Sequence, residues 1–187
     1  MTAVAAAAPA ALPRGAAVLR CEFWTPAPVA DVWPFFADAG NLQELTPPWL
    51  DFRILTPRPI PMHVDARIEY RIRIRGIPVR WRTRIAAWQP LVRFVDEQEK
   101  GPYRVWRHTH TFEPRDGGTL LGDHVVFAVP GGPLAPLLRR WWVEPDVLRI
   151  FRFRLERMAA RFGGSGGRVA GPLCNQVLRA LQAEGHL

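Results

Sequence analysis

The chain has 187 residues, 48% hydrophobic and 11% aromatic, which is enough apolar material for one domain with a sizeable core. Its formal charge is +8, and Lys100 is the only lysine, so nearly all of the cationic surface is arginine. No apolar run approaches the ~18 residues of a membrane span. Cys21 and Cys174 stand far apart in no metal-ligand spacing, and residues 1–15 lack both the basic start and the sustained apolar stretch of a signal peptide. A cytoplasmic protein with a disordered leader over 1–15 is the expectation. The arginines follow strands rather than cluster in an arm, which argues against a nucleic-acid partner.

The first strand is Ala16 to Trp24, broken by Thr25-Pro26-Ala27-Pro28. Val29, Val32, Trp33 and Phe36 then recur at helical spacing, with Pro34 inside, so the helix is short or kinked. A second helical turn runs from Asp38 to Leu45, with Asn41 as a candidate cap, and Thr46-Pro47-Pro48 stops it. Trp49 to Leu55 reads as a strand. Asp65 to Arg75 is the clearest strand, with Ile68, Tyr70, Ile72 and Ile74 on one face and arginines on the other. Val79 to Trp88 repeats that pattern, and Leu91 to Lys100 follows. Gly101 to Pro114 carries Trp106, His108, His110 and Phe112 on a single face. Asp116-Gly117-Gly118 is a hairpin turn into Thr119 to Val129. Leu134 to Phe162 is a long helical segment whose apolar stripe includes Val147, Ile150, Phe151, Leu155, Met158 and Phe162. The GGSGG run at 163–167 reads as a linker, and Leu173 to Leu181 as a short amphipathic tail.

One strand, two short helices, a run of antiparallel strands and a long C-terminal helix is a distinctive order. The stretches TPPWLDFRILTP (46–57), YRIRIRGIPVRWRTRI (70–85), RFVDEQEKGPYRVWRHTHTFEP (93–114) and AVPGGPLAP (128–136) are similar to the START-like or SRPBCC superfamily, in its bacterial ligand-binding and polyketide cyclase/dehydrase-like branch. The resemblance covers 16–162. It implies an α+β helix-grip fold: a curved antiparallel sheet of about seven strands around the C-terminal helix, with a cavity between them. The remainder, 163–187, lies outside the resemblance.

Strand faces that point at the helix then supply the candidate ligand-binding residues: Tyr70, Trp81, Phe94, Asp96, Gln98, Trp106, His108, His110, Phe112, Asp123 and Phe127, with Trp49 from the segment before them. The polar members come from three successive strands and converge. They fit a satisfied structural network, recognition of a hydrophobic or aromatic small molecule, or acid/base chemistry of the cyclase/dehydratase type by His108 or His110 oriented by Asp96 or Asp123. His-x-His on a strand is a weak metal signal on its own, so no metal is assigned. No Gly-rich phosphate loop is present, and no cofactor is expected. The outer face bearing Arg71, Arg73, Arg80, Arg82 and Arg84 reads first as a solvated ion-pair surface, with weak docking to an anionic membrane or acidic protein as the alternative.

Overall fold

A computed structural model describes Pro13 and residues 15–174, with side chains through Gly164. The leader, apart from Pro13 and Gly15, and the tail past Cys174 lie outside the described residues. Eight antiparallel strands form one sheet in the order β2-β3-β4-β5-β6-β7-β1-β8. They are β1 (Ala17–Thr25), β2 (Arg53–Ile54), β3 (Arg67–Ile74), β4 (Ile77–Gln89), β5 (Arg93–Lys100), β6 (Val105–Arg115), β7 (Gly118–Ala128) and β8 (Ser165–Cys174). From β3 to β7 each strand pairs with the next through a short turn, so local sequence order becomes spatial order. The β6–β7 turn uses Asp116 and Gly117, both at positive φ, which suits the twist of a two-residue hairpin.

Helices α1 (Val29–Ala37) and α3 (Glu144–Phe162) cover the concave side. Helix α1 buries Val32, Trp33 and Phe35. Val29 and Phe36 pack only partly buried against the same cluster, so the helix presents more than one face to its neighbours. The predicted second helical turn is a 3-10 turn, Ala39–Gln43, capped by the Asp38 carboxylate on the Gly40 amide rather than by Asn41. The long C-terminal segment is subdivided into α2 (Ala135–Leu138), one π-type turn over Arg139–Val143 and α3 (Glu144–Phe162), with Pro145 in the first turn of α3, where a missing N–H does no harm.

Two expectations need correction. Trp49 to Leu55 is a strand only in part: Pro48–Leu50 forms a 3-10 turn, Asp51 takes a left-handed conformation, and Arg53 and Ile54 pair with β3, with the Leu55 N–H donating to the Glu69 carbonyl beyond them. The N–H groups of Leu50 and Asp51 are spent on the Pro47 and Pro48 carbonyls within that turn, so they are not offered to a ladder. The GGSGG run at 163–167 is not a linker throughout, because from Ser165 the backbone pairs with β1 as the edge strand β8. Gly163 and Gly164 turn the chain back after α3. A Cβ on Gly164 would lie 2.2 Å from the Trp24 carbonyl oxygen, so only glycine permits this approach.

The core lies between sheet and helices. Trp33, Phe94, Phe112 and Met158 belong to a cluster at the α1 end. Leu19, Val125, Phe127, Val147 and Phe151 belong to a second cluster beneath α3. Ile72 and Trp81 belong to a third.

Candidate functional site

A pocket of about 200 Å³ opens between the sheet and α3. Its aromatic wall comes from neighbouring inward positions. Tyr70 on β3 and Trp81 on β4 are register partners, with ring planes 17° apart. Trp106 meets Trp81 edge-on, and Tyr103 lies against Trp106 at 4.7 Å between centroids. The Trp81 indole N–H donates to the Thr83 hydroxyl at 3.1 Å, and the Tyr70 hydroxyl stands 3.2 Å from that same oxygen. Burial pushes the Tyr70 phenol well above its ordinary pKa, against a smaller pull from Thr83, so it stays neutral.

The polar wall is built by cross-strand register. Asp96 on β5 lies opposite His108 on β6, and His110 lies opposite Asp123 on β7. Contacts then run diagonally as well as straight across. His108 Nε2 is 2.9 Å from Asp123 Oδ1, and His110 Nε2 is 3.0 Å from Asp96 Oδ2. His110 Nδ1 lies 2.8 Å from the same Asp123 Oδ1. Phe94 stacks on His110 at 4.1 Å, holding the ring flat.

From the helix side comes Arg154. Its Nε donates to Asp123 Oδ2 at 2.9 Å, and its Nη2 stands 3.3 Å from His110 Nδ1. Arg154 is buried, with 5% of the residue exposed. It falls within the buried stripe Val147, Phe151, Arg154, Met158, three residues after one member and four before the next. Reading the helix by its apolar residues alone skips it. The available signal was a charge at a stripe position, which calls for a buried partner.

Protonation follows from these contacts. Burial opposes a charge on each group. For His108 burial, aided by the neighbouring His110, outweighs the carboxylates and lowers its pKa below the ordinary imidazole value. For His110 burial is outweighed by hydrogen bonds to Asp123 and Asp96, and its pKa is raised. For Asp123 burial is overcome by Arg154 and the two histidines, which hold it well below the carboxylate range. Neutral His108 thus donates through Nε2 to Asp123 and keeps an unprotonated Nδ1, 3.8 Å from Asp96 Oδ2.

Of the predicted residues, Tyr70, Trp81, Phe94, Asp96, Trp106, His108 and His110 line the pocket. The other five are placed elsewhere. Asp123 sits behind the histidines and reaches them but not the pocket. Gln98 closes the β5–β6 turn, its amide donating to the Tyr103 carbonyl and accepting from the Tyr103 N–H. Phe112 fills the α1 end and Phe127 the core beneath α3. Trp49 is 44% exposed, flanked by Phe153 and by the Arg149 guanidinium 4.0 Å from its ring. The sequence reading missed Arg154, Phe52 and Tyr103 as lining residues. Outside this group, His63 is exposed, and His124 is pushed down to about 4 by burial and by Arg20.

The arginine face is largely self-paired. Arg82 binds Glu69, Arg84 binds Asp65 and Glu97, and Arg71 and Arg73 share Asp51. No helix of the described residues is long and apolar enough to cross a membrane.

A curved antiparallel sheet gripping a long C-terminal helix defines the class: this is a helix-grip, START-like domain. Within that class, the chain belongs to the family described as polyketide cyclase/dehydrase and lipid transport, whose sequence model matches residues 25–162. Among solved structures it is similar to the Zhui aromatase/cyclase from Streptomyces sp. R1128, at 18% identity and a TM-score of 0.61, covering 81% of this chain and 99% of that one. A START superfamily protein from Mycobacterium smegmatis aligns at 11% identity and a TM-score of 0.58, over 78% of this chain and 97% of that one. Protein Ms6760 from the same organism aligns at 19% identity and a TM-score of 0.58, over 76% and 88%. At such identities the likeness is one of fold. No curated protein sequence matches the chain.

Proposed function

We propose that the pocket binds a compact aromatic or hydrophobic small molecule carrying an oxygen function, with its ring against Tyr70, Trp81 and Trp106 and its oxygen toward His108. The observation that carries this reading is the division of one pocket into an aromatic wall and a buried His/Asp/Arg wall. A cavity of ~150 Å³ accepts benzene, so about 200 Å³ suits a molecule of one or two rings. The family's span of cyclase/dehydrase chemistry and lipid transport is consistent with such a ligand.

A second reading has its own support. Asp123 at His108 Nε2 favours the tautomer whose Nδ1 is free, on a ring that lines the pocket, which suits a general base that takes a proton next to a carbonyl. Docking through the arginine face is not carried forward, since Arg71, Arg73, Arg82 and Arg84 are held by carboxylates of the same chain.

The test is native mass spectrometry with organic extraction of the chain purified from its own host, beside an Ile72→Trp variant that fills the pocket. A small molecule retained by wild type and lost from folded Ile72→Trp supports binding there. An empty wild type, or equal retention by both, removes the reading. Turnover of the retained compound that disappears in His108→Gln while binding persists would add the catalytic role.

A further inference from the structure

We propose that Asp96, His108 and His110 form a binding site for a divalent first-row transition metal of the zinc or iron(II) class, with open coordination positions facing the pocket. One donor atom from each residue lies within 4.8 Å of the other two. His-x-His on β6 sends both imidazoles to the same side of the sheet, and Asp96 stands directly opposite the first of them.

The decisive observation is what the other ring nitrogens do. His108 Nε2 and His110 Nδ1 both converge on a single oxygen, Asp123 Oδ1, at 2.9 and 2.8 Å. The remaining nitrogens, His108 Nδ1 and His110 Nε2, both turn toward Asp96 Oδ2, at 3.8 and 3.0 Å. Imidazoles that bind a metal usually donate the other N–H to a carboxylate, which fixes tautomer and ring orientation. Here one carboxylate serves both rings, and Arg154 anchors that carboxylate from α3. Asp123 therefore belongs behind the metal site as a positioning residue.

Donors around a metal with bonds of ~2.1 Å stand ~3.0–3.4 Å apart. The observed 3.0 and 3.8 Å bracket that spacing and need a closure of only a few tenths of an ångström at His108. A cation would take the place of the hydrogen between His110 Nε2 and Asp96 Oδ2. Two imidazoles and one carboxylate favour a transition metal over magnesium or calcium, which prefer all-oxygen shells. With Asp96, Asp123 and Arg154 counted, a dication leaves the site one positive charge. An anionic oxygen entering from the pocket is then the fitting additional donor. Metal binding here is independent of whether the pocket holds a hydrophobic ligand, since all three donors come from the chain.

The test uses untagged full-length chain, stripped with chelator and titrated separately with Zn(II) and Co(II) at neutral pH. Metal content, isothermal titration and the visible d–d bands of Co(II) are read. About one metal per chain is expected. Asp96→Asn should weaken it at least tenfold, and Asp123→Asn by ~10–100-fold. Asp96→Asn is the principal variant because Asp96 lies at the rim, 17% exposed, and the change preserves volume. Its melting curve verifies folding. A His63→Ala/His186→Ala variant should retain the metal. Absence of uptake by wild type overturns the site. So does uptake, or a Co(II) spectrum, unchanged in folded Asp96→Asn, or uptake lost only when His63 and His186 are removed.

Discussion

The two faces of the sheet both pair arginine with carboxylate, yet the same chemistry has different consequences on each. On the convex face Arg82 meets Glu69, with the side chains 34% and 39% exposed. On the concave face Arg154 meets Asp123, each 7% exposed. In water the Coulomb gain is small and salt screens it, so the outer lattice contributes little per pair. In the interior an uncompensated charge is costly, so Arg154, Asp123 and the two histidines form a set whose members need one another. The outer pairs keep a strand-rich surface solvated, while the inner set orients side chains that line a pocket.

This contrast can be broken experimentally, beginning where the effect is largest. Arg154→Leu should destabilise the chain by about 3–5 kcal/mol, because it strands the Asp123 carboxylate. The double variant Arg154→Leu/Asp123→Leu should cost clearly less than the sum of the two single changes, as read in a urea-unfolding cycle. Additive values would show that the pair is not coupled. On the outer face Arg82→Ala should change stability by only about 0–1 kcal/mol in the same assay; a loss comparable to that of Arg154→Leu would erase the distinction.

Smaller still is the effect of acid on the outer lattice. Hydrogen bonding to Arg67 lowers the Glu99 pKa, against a weaker opposing effect of burial. A depressed carboxylate contributes stability above its unfolded pKa of about 4.3 and loses it as pH falls through the lower folded value. Wild type and Glu99→Gln should therefore differ slightly at neutral pH and converge in strong acid, with the difference shrinking at high salt. A gap that persists in molar salt would count against solvent screening. Finally, burial, reinforced by the nearby Asp123, pushes the Cys21 thiol far up. Cys21 should resist alkylation at mildly alkaline pH until urea unfolds the chain, with labelling read by peptide mass spectrometry. Rapid labelling in the native state would show that β1 opens.

Much of the fold was legible because its periodicities are local. The alternation of β3 through β7 sets which residues face the helix, and turn residues set which strands are neighbours. Two failures had local causes too. The 3-10 turn at Pro48–Leu50 and the left-handed Asp51 shortened β2, and the glycines at 163–164 disguised a reversal of the chain as a linker. The candidate site was half legible. Alternation alone put Asp96, His108 and His110 on one side, but an inward-facing residue need not line the pocket. Phe112 and Phe127 face inward at levels that the helices fill, and Gln98 is consumed by a turn.

The sequence by itself determined the element order, the inward faces and the presence of a polar group among aromatics, since period-two and period-3.6 patterns depend only on backbone geometry. Tertiary structure alone decided that Arg154 reaches across from α3 to Asp123, that one carboxylate oxygen faces both imidazoles, and that the opposite nitrogens are left turned to Asp96. These contacts join residues as far as 44 positions apart, His110 to Arg154, and their geometry depends on strand register and the seating of the helix on the sheet. Local patterning carries information about neither.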